Sequence, residues 1–279
     1  MDLTIVIVSF KSGDILHRCI KSIDKKYPII VVENSQNIKF KEELEKKYSN
    51  LECILPEKNL GYGAGNNLGI KNSKTKYVLT LNPDTILYES TISELLEQAN
   101  KIEDFALLGP KVISETENMS NTDSKIEEVS YIKGFAIFFN KEKFINIGYF
   151  DENYFLYFEE IDLCRQISKK NGKIFLDPNI EIYHEGSKSV NQVYSLELEK
   201  NRNWHWMWST FYYHKKYNNY FYALLIISPK LFSALFKTIF YSLMLNKQKR
   251  DIYYCRLSGI LNSILGKKSW YRPSLDWFI

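Results

Sequence analysis

Four short stretches carry residues whose types and spacing could do chemistry. Asn82-Pro83-Asp84-Thr85 follows an apolar run at 77–81. The proline ends a strand there and sets the Asp84 carboxylate just beyond it, at the edge where open α/β sheets bind ligands, although a turn carboxylate would look the same. In Asn59-Leu60-Gly61-Tyr62-Gly63-Ala64-Gly65-Asn66-Asn67, glycines at alternate positions permit positive φ and close backbone approach. Either a phosphate or sugar lying on the chain or a flexible turn would use that freedom. Asn66 stands where a dinucleotide fingerprint has its third glycine, and no P-loop lysine follows. Phe158-Glu159-Glu160-Ile161-Asp162 sets three carboxylates at a helix start; they either answer the helix dipole or include a general base. Tyr183-His184-Glu185-Gly186-Ser187 presents a histidine on a loop, polar filler or else a metal or acid/base group.

The elements that must position these groups follow from periodicity. Apolar runs at 3–8 and 29–32 are too short for helices and predict buried strands, while 14–25 has apolar residues at helical spacing behind Ser12 or Asp14 as cap. The alternation continues with a charged helix at 39–48, a strand at 52–55, a helix from 65, a strand at 77–81, a helix at 91–101 and a strand at 106–108. Such a rhythm predicts a mostly parallel sheet with helices on both faces. Thereafter 114–130 reads as a polar loop, 136–139 as a strand, 160–170 as a helix and 174–176 as a strand. From about residue 196 the sequence becomes helical and aromatic. The expected division is 1–195, with nucleotide binding in 1–110 and acceptor and catalytic functions in 111–195, followed by a helical region at 196–279.

Taken in order, these segments resemble the family 2 glycosyltransferases of the GT-A fold, in particular their rhamnosyltransferase-like branch. The resemblance runs through Ile5-Val6-Ile7-Val8-Ser9-Phe10, Val31-Val32-Glu33-Asn34-Ser35, Asn59 onward, Asn82-Pro83-Asp84 and Gly134-Phe135. It continues with Ile147-Gly148-Tyr149-Phe150-Asp151-Glu152, the Glu159-Glu160 motif and the His184 motif, so that about residues 1–190 are covered. It implies a nucleotide-sugar site formed by Ser9, Phe10, Glu33, Asn59, Gly63, Asn66, Asn82 and Asp84. Asp84, with His184, would hold Mg²⁺ or Mn²⁺ against the donor diphosphate. Asn82 replaces the first acid of the family's DxD motif, and Glu33 and Glu160 stand where Asp is usual. Glu160 would be the base that deprotonates the acceptor hydroxyl, with Glu159 and Asp162 positioning it or meeting the acceptor.

The 279 residues carry a net charge of +4 and 45% hydrophobic residues, which excludes a disordered tail, a collagen repeat and a disulfide-stapled miniprotein. Four scattered cysteines without a CxxC pair predict reduced thiols in a cytosolic compartment. The acidic, uncleavable N-terminus predicts no secretory leader. The charge is unevenly distributed: residues 200–279 hold thirteen Lys and Arg against two Asp, together with all five tryptophans. Pro229, Lys230 and Lys237 interrupt the longest apolar stretch, so an interfacial helix is expected rather than a spanning one, with Trp and Tyr at headgroup level. Packing of those aromatics on the catalytic domain or a second subunit is the alternative.

The function expected is an inverting, metal-dependent hexosyl or deoxyhexosyl transferase for cell-surface polysaccharide synthesis. Its donor would be a UDP-, dTDP- or GDP-linked sugar and its acceptor a glycan, expected to be lipid-linked because the tail favours a membrane. It would sit peripherally on the cytoplasmic face of the membrane, with no nucleic acid partner. A polyprenyl-phosphate glycosyltransferase and a catalytically silent nucleotide-sugar-binding scaffold are the rivals. No glycine-rich loop with a basic residue lies near the first strand, which argues against a sugar-phosphate nucleotidyltransferase.

Overall fold

A computed structural model describes residues 2–102, 104–113, 125–186 and 195–272. The chain forms two compact units, Met1–Asp151 with Glu160–Asn191 and Glu152–Glu159 with Gln192–Ile279.

The first unit is built on one sheet. Strands β1 (Leu3–Ser9), β2 (Ile29–Glu33), β3 (Leu51–Ile54) and β4 (Tyr77–Leu81) alternate with helices α1 (Gly13–Lys21), α2 (Ile38–Lys47) and α3 (Tyr62–Asn72). There follow β5 (Thr85–Leu87), α4 (Thr91–Lys101), β6 (Leu107–Ile113), β7 (Glu127–Glu128), β8 (Ala136–Asn140), α5 (Glu159–Lys169) and β9 (Ile174–His184). The sheet order is β3-β2-β1-β4-β8-β6-β9-β5, with β7 paired to β9. Strands β3, β2, β1 and β4 are mutually parallel, whereas β8 enters antiparallel between β4 and β6, so the sheet is mixed beyond β4.

Successive side chains of a strand point to opposite faces, and β1 is apolar on both. Leu3, Ile5 and Ile7 join Leu16, Cys19 and Ile20 of α1, Leu44 of α2 and Leu95 of α4 in one core. Val6 and Val8 join Ile70 of α3 and Leu163, Cys164 and Ile167 of α5 in the other. A continuous apolar run is thus what a strand covered on both sides requires. All four cysteines are free and buried.

Several element boundaries differ from expectation. Helix α1 ends at Lys21, and Ser12 caps it without a side-chain bond. Helix α3 begins at Tyr62, so the glycine stretch is its first turn rather than a loop. The reason is packing: a Cβ on Gly65 would lie 2.9 Å from Val8 Cγ1, and one on Gly69 would lie 2.3 Å from Val6 Cγ1. These two glycines let α3 lie directly on β1. Strand β9 runs through Asp177-Pro178, because a register shift against β6 leaves the proline outside the ladder. Of the expected polar loop, 127–128 forms β7 and 114–124 lies outside the described residues.

The second unit contains α6 (Ser195–Tyr217), α7 (Tyr220–Leu243) and α8 (Lys247–Ile264). Trp204 and Trp208 are buried, with Trp204 Nε1 donating to Ser258 Oγ (3.2 Å) and Trp208 Nε1 to the Lys267 carbonyl (3.0 Å). A Cβ on Gly259 would lie 2.3 Å from the Trp204 carbonyl oxygen, so α6 and α8 touch through backbone. This corrects the expectation of tryptophans at headgroup level: two of the five are core, and Trp277 lies outside the described residues. Pro229 does not break α7. A helical proline leaves the carbonyl four residues earlier without its donor; here the Ser228 hydroxyl donates to that carbonyl, Leu225 O, at 3.0 Å.

Candidate active site

The carboxyl ends of the parallel strands bring most of the proposed donor residues to one edge. Ser9 ends β1 and pairs in register with Glu33, which ends β2; Asn82-Pro83-Asp84 follows β4 on the other side of β1. Phe10 is half-buried in the turn after β1, where its N–H meets Ser12 Oγ at 3.3 Å.

The Glu33 carboxylate is engaged by its own loop. It accepts from the N–H and hydroxyl of Ser35 (3.2 and 2.5 Å) and from the N–H of Asn37 (3.0 Å). Asn34, absent from the expected contacts, ties this turn to α3: its Nδ2 donates to the Gly61 carbonyl (3.0 Å) and its Oδ1 accepts the Leu60 N–H (3.2 Å). Asn59 Oδ1 accepts the Gly61 N–H at 2.9 Å, and Gly61 takes φ +81°, a conformation that favours glycine. Gly63 is buried in the first turn of α3, and Asn66, one turn on, donates to the Tyr62 carbonyl at 3.1 Å.

Three side-chain atoms here are buried with no hydrogen-bond partner: Ser9 Oγ, Asn66 Oδ1 and Asp84 Oδ1. Buried polar groups are normally satisfied, so such orphans ask for a missing partner. Two of them belong to elements that flank the strand edge, and the third, Asp84, lies beside His184. The pair is held by strand geometry. Thr85 of β5 pairs with His184 of β9, and the Glu185 N–H donates to the Asp84 carbonyl (3.0 Å). His184 Nε2 then lies 3.4 Å from Asp84 Oδ1. His184 is therefore the last residue of a strand rather than a loop residue. Phe135 stacks on its ring at 3.8 Å between centroids, while the Phe135 carbonyl accepts the Asn82 N–H (2.9 Å). Beyond it, Arg18 grips Glu185 with two bonds of 3.1 and 2.5 Å. Ser187 lies outside the described residues.

A buried carboxylate oxygen that accepts no hydrogen bond, beside an imidazole nitrogen, suits Mg²⁺ or Mn²⁺, hard to borderline cations that take oxygen ligands with some nitrogen. Among the described residues no group of three or more His, Cys, Asp or Glu forms a complete cage. A cation held by these two side chains would have its remaining positions open to phosphate oxygens and water, as Mg²⁺ sites commonly do.

The acidic cluster is assembled separately. Glu160 lies in the first turn of α5, and burial pushes its carboxyl above the ordinary value of 4.5, against the opposing hydrogen bonds of its own backbone, the Tyr131 hydroxyl and the Ile161 backbone. Tyr131 donates to Glu160 Oε1 at 3.3 Å. Gly134 faces the Glu160 side chain, since an added Cβ would sit 3.6 Å from its Cβ and Cγ, and the Gly134 carbonyl accepts the Tyr62 hydroxyl. Asp162 is fully buried and accepts from Gln166 Nε2 at 2.5 Å, while Glu159 is buried at the unit boundary. The segment 131–135 thus reaches Glu160 through Tyr131 and Gly134, and the Asp84–His184 pair through Phe135. Tyr62, Tyr131 and Phe135 are not among the expected site residues, although Tyr62 lies inside the glycine stretch and Gly134-Phe135 belongs to the family match.

Immediately before this cluster, Tyr157 and Phe158 adopt φ of +69° and +71°. Consecutive aromatic residues in the left-handed region are strained, at about 1–3 kcal/mol each, and need their surroundings to hold them. Within the second unit, Trp206 packs on both rings at 5.2 and 5.5 Å, and Tyr213 on Phe158 at 5.3 Å.

Fold and site together define an α/β protein of the GT-A type. The family model for glycosyl transferase family 2 matches residues 4–165, and the chain belongs to that family. It is similar to the low-salt glycan biosynthesis hexosyltransferase Agl10 of Haloferax volcanii, 25% identical over 195 residues, covering 61% of this chain and 62% of that relative's length. It is also similar to the rhamnosyltransferase WbbL of Escherichia coli K12, 25% identical over 247 residues, covering 75% of this chain and 91% of the relative. Among solved structures, a mannosyltransferase from Pyrobaculum calidifontis in complex with GDP-Man and Mn²⁺ matches with a TM-score of 0.59 at 9% identity, covering 96% of this chain and 88% of that one. At that identity the likeness concerns the fold.

Proposed function

We propose that the protein transfers a hexose or deoxyhexose from a nucleotide-sugar to a glycan acceptor with inversion of the anomeric centre. The observation that carries this reading is the buried Asp84 Oδ1, which lacks a hydrogen-bond partner and faces His184 at the carboxyl edge of the sheet. Ser9 Oγ and Asn66 Oδ1 supply further polar atoms for the donor nucleotide, and Asn34 holds the two loops that would frame it. Glu33 supports this site through its loop, with its carboxylate holding Ser35 and Asn37. A divalent cation bound by Asp84 and His184 would neutralise charge on the donor diphosphate.

Glu160 is the general base. Its carboxylate takes the proton of the acceptor hydroxyl as that oxygen bonds to the anomeric carbon, and the nucleoside diphosphate departs from the opposite face with the electrons of the broken bond. A single displacement of this kind inverts configuration and needs one base. Burial raises the affinity of Glu160 for a proton, which brings a carboxylate closer to the range useful for a base near neutral pH. Asp162 and Glu159 position the start of α5. The relatives' printed activities, a hexosyltransferase of glycan biosynthesis and a rhamnosyltransferase, support the sugar class. An acceptor carried on lipid, and residence at a membrane surface, are supported by the exposed apolar helix α7.

Glu160→Gln tests the assignment. It should abolish transfer while leaving Mn²⁺-dependent nucleotide binding within about twofold, because the charge is lost without a change of shape. A variant that still transfers sugar at the wild-type rate overturns the role of Glu160. A wild type that binds nucleotide-sugars but transfers none to lipid phosphates or oligosaccharides would favour a silent binding scaffold, and transfer to polyprenyl phosphate alone would favour the other rival.

A further inference from the structure

Among the described residues, α7 is the one helix long and apolar enough to cross a membrane, and little of it is buried. Its inward face packs Ala223, Ile227 and, alongside them, Leu224 and Leu231 on Met207 and Phe211 of α6 and Ile260 of α8. Its outward face is a stripe at helical spacing: Phe221, Leu225, Phe232, Phe236, Ile239 and Leu243, with Phe221 79% and Phe236 67% exposed. From end to end the stripe is about 33 Å long at 1.5 Å per residue. Monomeric soluble proteins rarely leave so long an apolar patch bare.

The two lysines that interrupt this stretch in sequence do not interrupt the stripe. Lys237 turns to α8, where its Nζ meets the Tyr253 hydroxyl at 3.3 Å and lies over that ring. Lys230 is partly buried, and that burial, with Arg256 nearby, lowers its pKa. Basic charge instead gathers beyond both ends of the helix, in exposed Lys215 and Lys216 before it and exposed Lys247 and Lys249 after it.

We propose that this outward face of α7 rests in the plane of an anionic lipid surface, with its apolar stripe at the acyl boundary and the flanking lysines among the headgroups; the proposal deepens the lipid-linked acceptor reading and depends on it. Three observations favour this occupant. The stripe itself carries no charge, whereas both of its ends are basic, the pattern of an interfacial helix. One side of α7 is covered by α6 and α8, whose Lys200, Arg202, Arg250, Asp251 and Arg256 would have to enter the hydrocarbon with it if it spanned. A second copy is disfavoured by charge: pairing α7 with α7 sets basic ends against basic ends in either direction.

The test is co-sedimentation of the full chain with vesicles of phosphatidylcholine, alone or with about a third phosphatidylglycerol. Wild type should bind the anionic vesicles, and far more weakly the neutral ones. Phe232→Ser with Phe236→Ser should weaken binding to both by at least about tenfold, from the apolar area lost. Lys247→Gln with Lys249→Gln should weaken binding to anionic vesicles by about tenfold or more and leave the neutral ones unaffected. Phe221→Ser with Leu225→Ser provides a second stripe pair should the first misfold. Unchanged circular dichroism and nucleotide binding certify each variant. The proposal is overturned if wild type stays in the supernatant with anionic lipid, if the stripe variants bind as wild type does, or if light scattering shows a dimer that Phe232→Ser dissociates. Loss of nucleotide binding or transfer with a soluble acceptor, by contrast, would strike at the transferase reading and leave the vesicle result standing.

Discussion

Replacing Gly69 by alanine should destabilise the first unit through a single contact. The new Cβ would lie 2.3 Å from Val6 Cγ1 and 3.3 Å from Cγ2. Carbon atoms rest at about 3.5–4.0 Å, so something must yield by about 1.2 Å or more. Val6 is fully buried on β1 and, being β-branched, is stiff at χ1. Overpacking of this kind costs about 1–3 kcal/mol. Alanine's better helix propensity returns up to about 1 kcal/mol, so a net loss of about 2 kcal/mol is expected from the upper end of that range. In a unit of this size that lowers Tm by about 4–8 °C. Val6→Ala alone removes two buried methyl groups and should cost about 2 kcal/mol by leaving a cavity. In the double variant the new methyl meets no Cγ atoms, so stability should match Val6→Ala alone and the two changes should be coupled by about 2 kcal/mol. Urea unfolding followed by circular dichroism gives the four stabilities. Nucleotide binding adds a second readout, since Tyr62 and Asn66 ride on the same helix: Gly69→Ala should weaken it and Val6→Ala should restore it. Simple additivity within about 0.5 kcal/mol would refute the close approach of α3 to β1 as the reason for this glycine.

Three further outcomes are expected. The rate of transfer should fall on the acid side at a pH above the ordinary glutamate value of 4.5, because burial raises Glu160's pKa and only its ionised form can accept a proton. Tyr131→Phe removes a donor that favours the charged form, so it should move that acid limb further up; a limb that stays fixed or moves down in a pH–rate profile would contradict the contact. Asp84→Asn should weaken Mn²⁺-dependent nucleotide binding by at least about tenfold, the equivalent of about 1.4 kcal/mol. The same change should leave metal-free thermal stability unchanged or higher, since it removes charge from a buried oxygen with no hydrogen-bond partner. A large metal-free loss of Tm would mean that Asp84 serves the fold instead.

Much of the first unit is legible in residue patterns. The run Leu3 to Val8 has a β-strand length and no polar face, which permits only a strand covered on both sides, and its successors announce the βαβ alternation. The Asn82-Pro83-Asp84 and Glu159-Glu160 positions are legible too, since proline and clustered acids mark element ends. The start of α3 is not, because glycines at 61, 63 and 65 signal freedom, and only the proximity of Val8 and Val6 shows that Gly65 and Gly69 serve contact. Asp177-Pro178 suggests a turn, yet β9 passes through it by shifting register. Nothing in the identities of Tyr157 and Phe158 foretells positive φ; their neighbours on α6 hold it. Lys230 and Lys237 have a helical position in sequence but acquire a direction only when α8 is present.

The assignment of Glu152–Glu159 to the helical unit means that the chain crosses between units three times. Neither unit is therefore a contiguous piece of sequence. A chain stopped after residue 191 would contain every proposed catalytic residue, yet Tyr157 and Phe158 would have lost the Trp206 and Tyr213 rings that hold them one step before Glu159-Glu160. Exchange of the helical unit between relatives faces the same restriction: the octapeptide must travel with its helices, or the recombinant protein inherits a proposed base whose approach segment was shaped for a different partner.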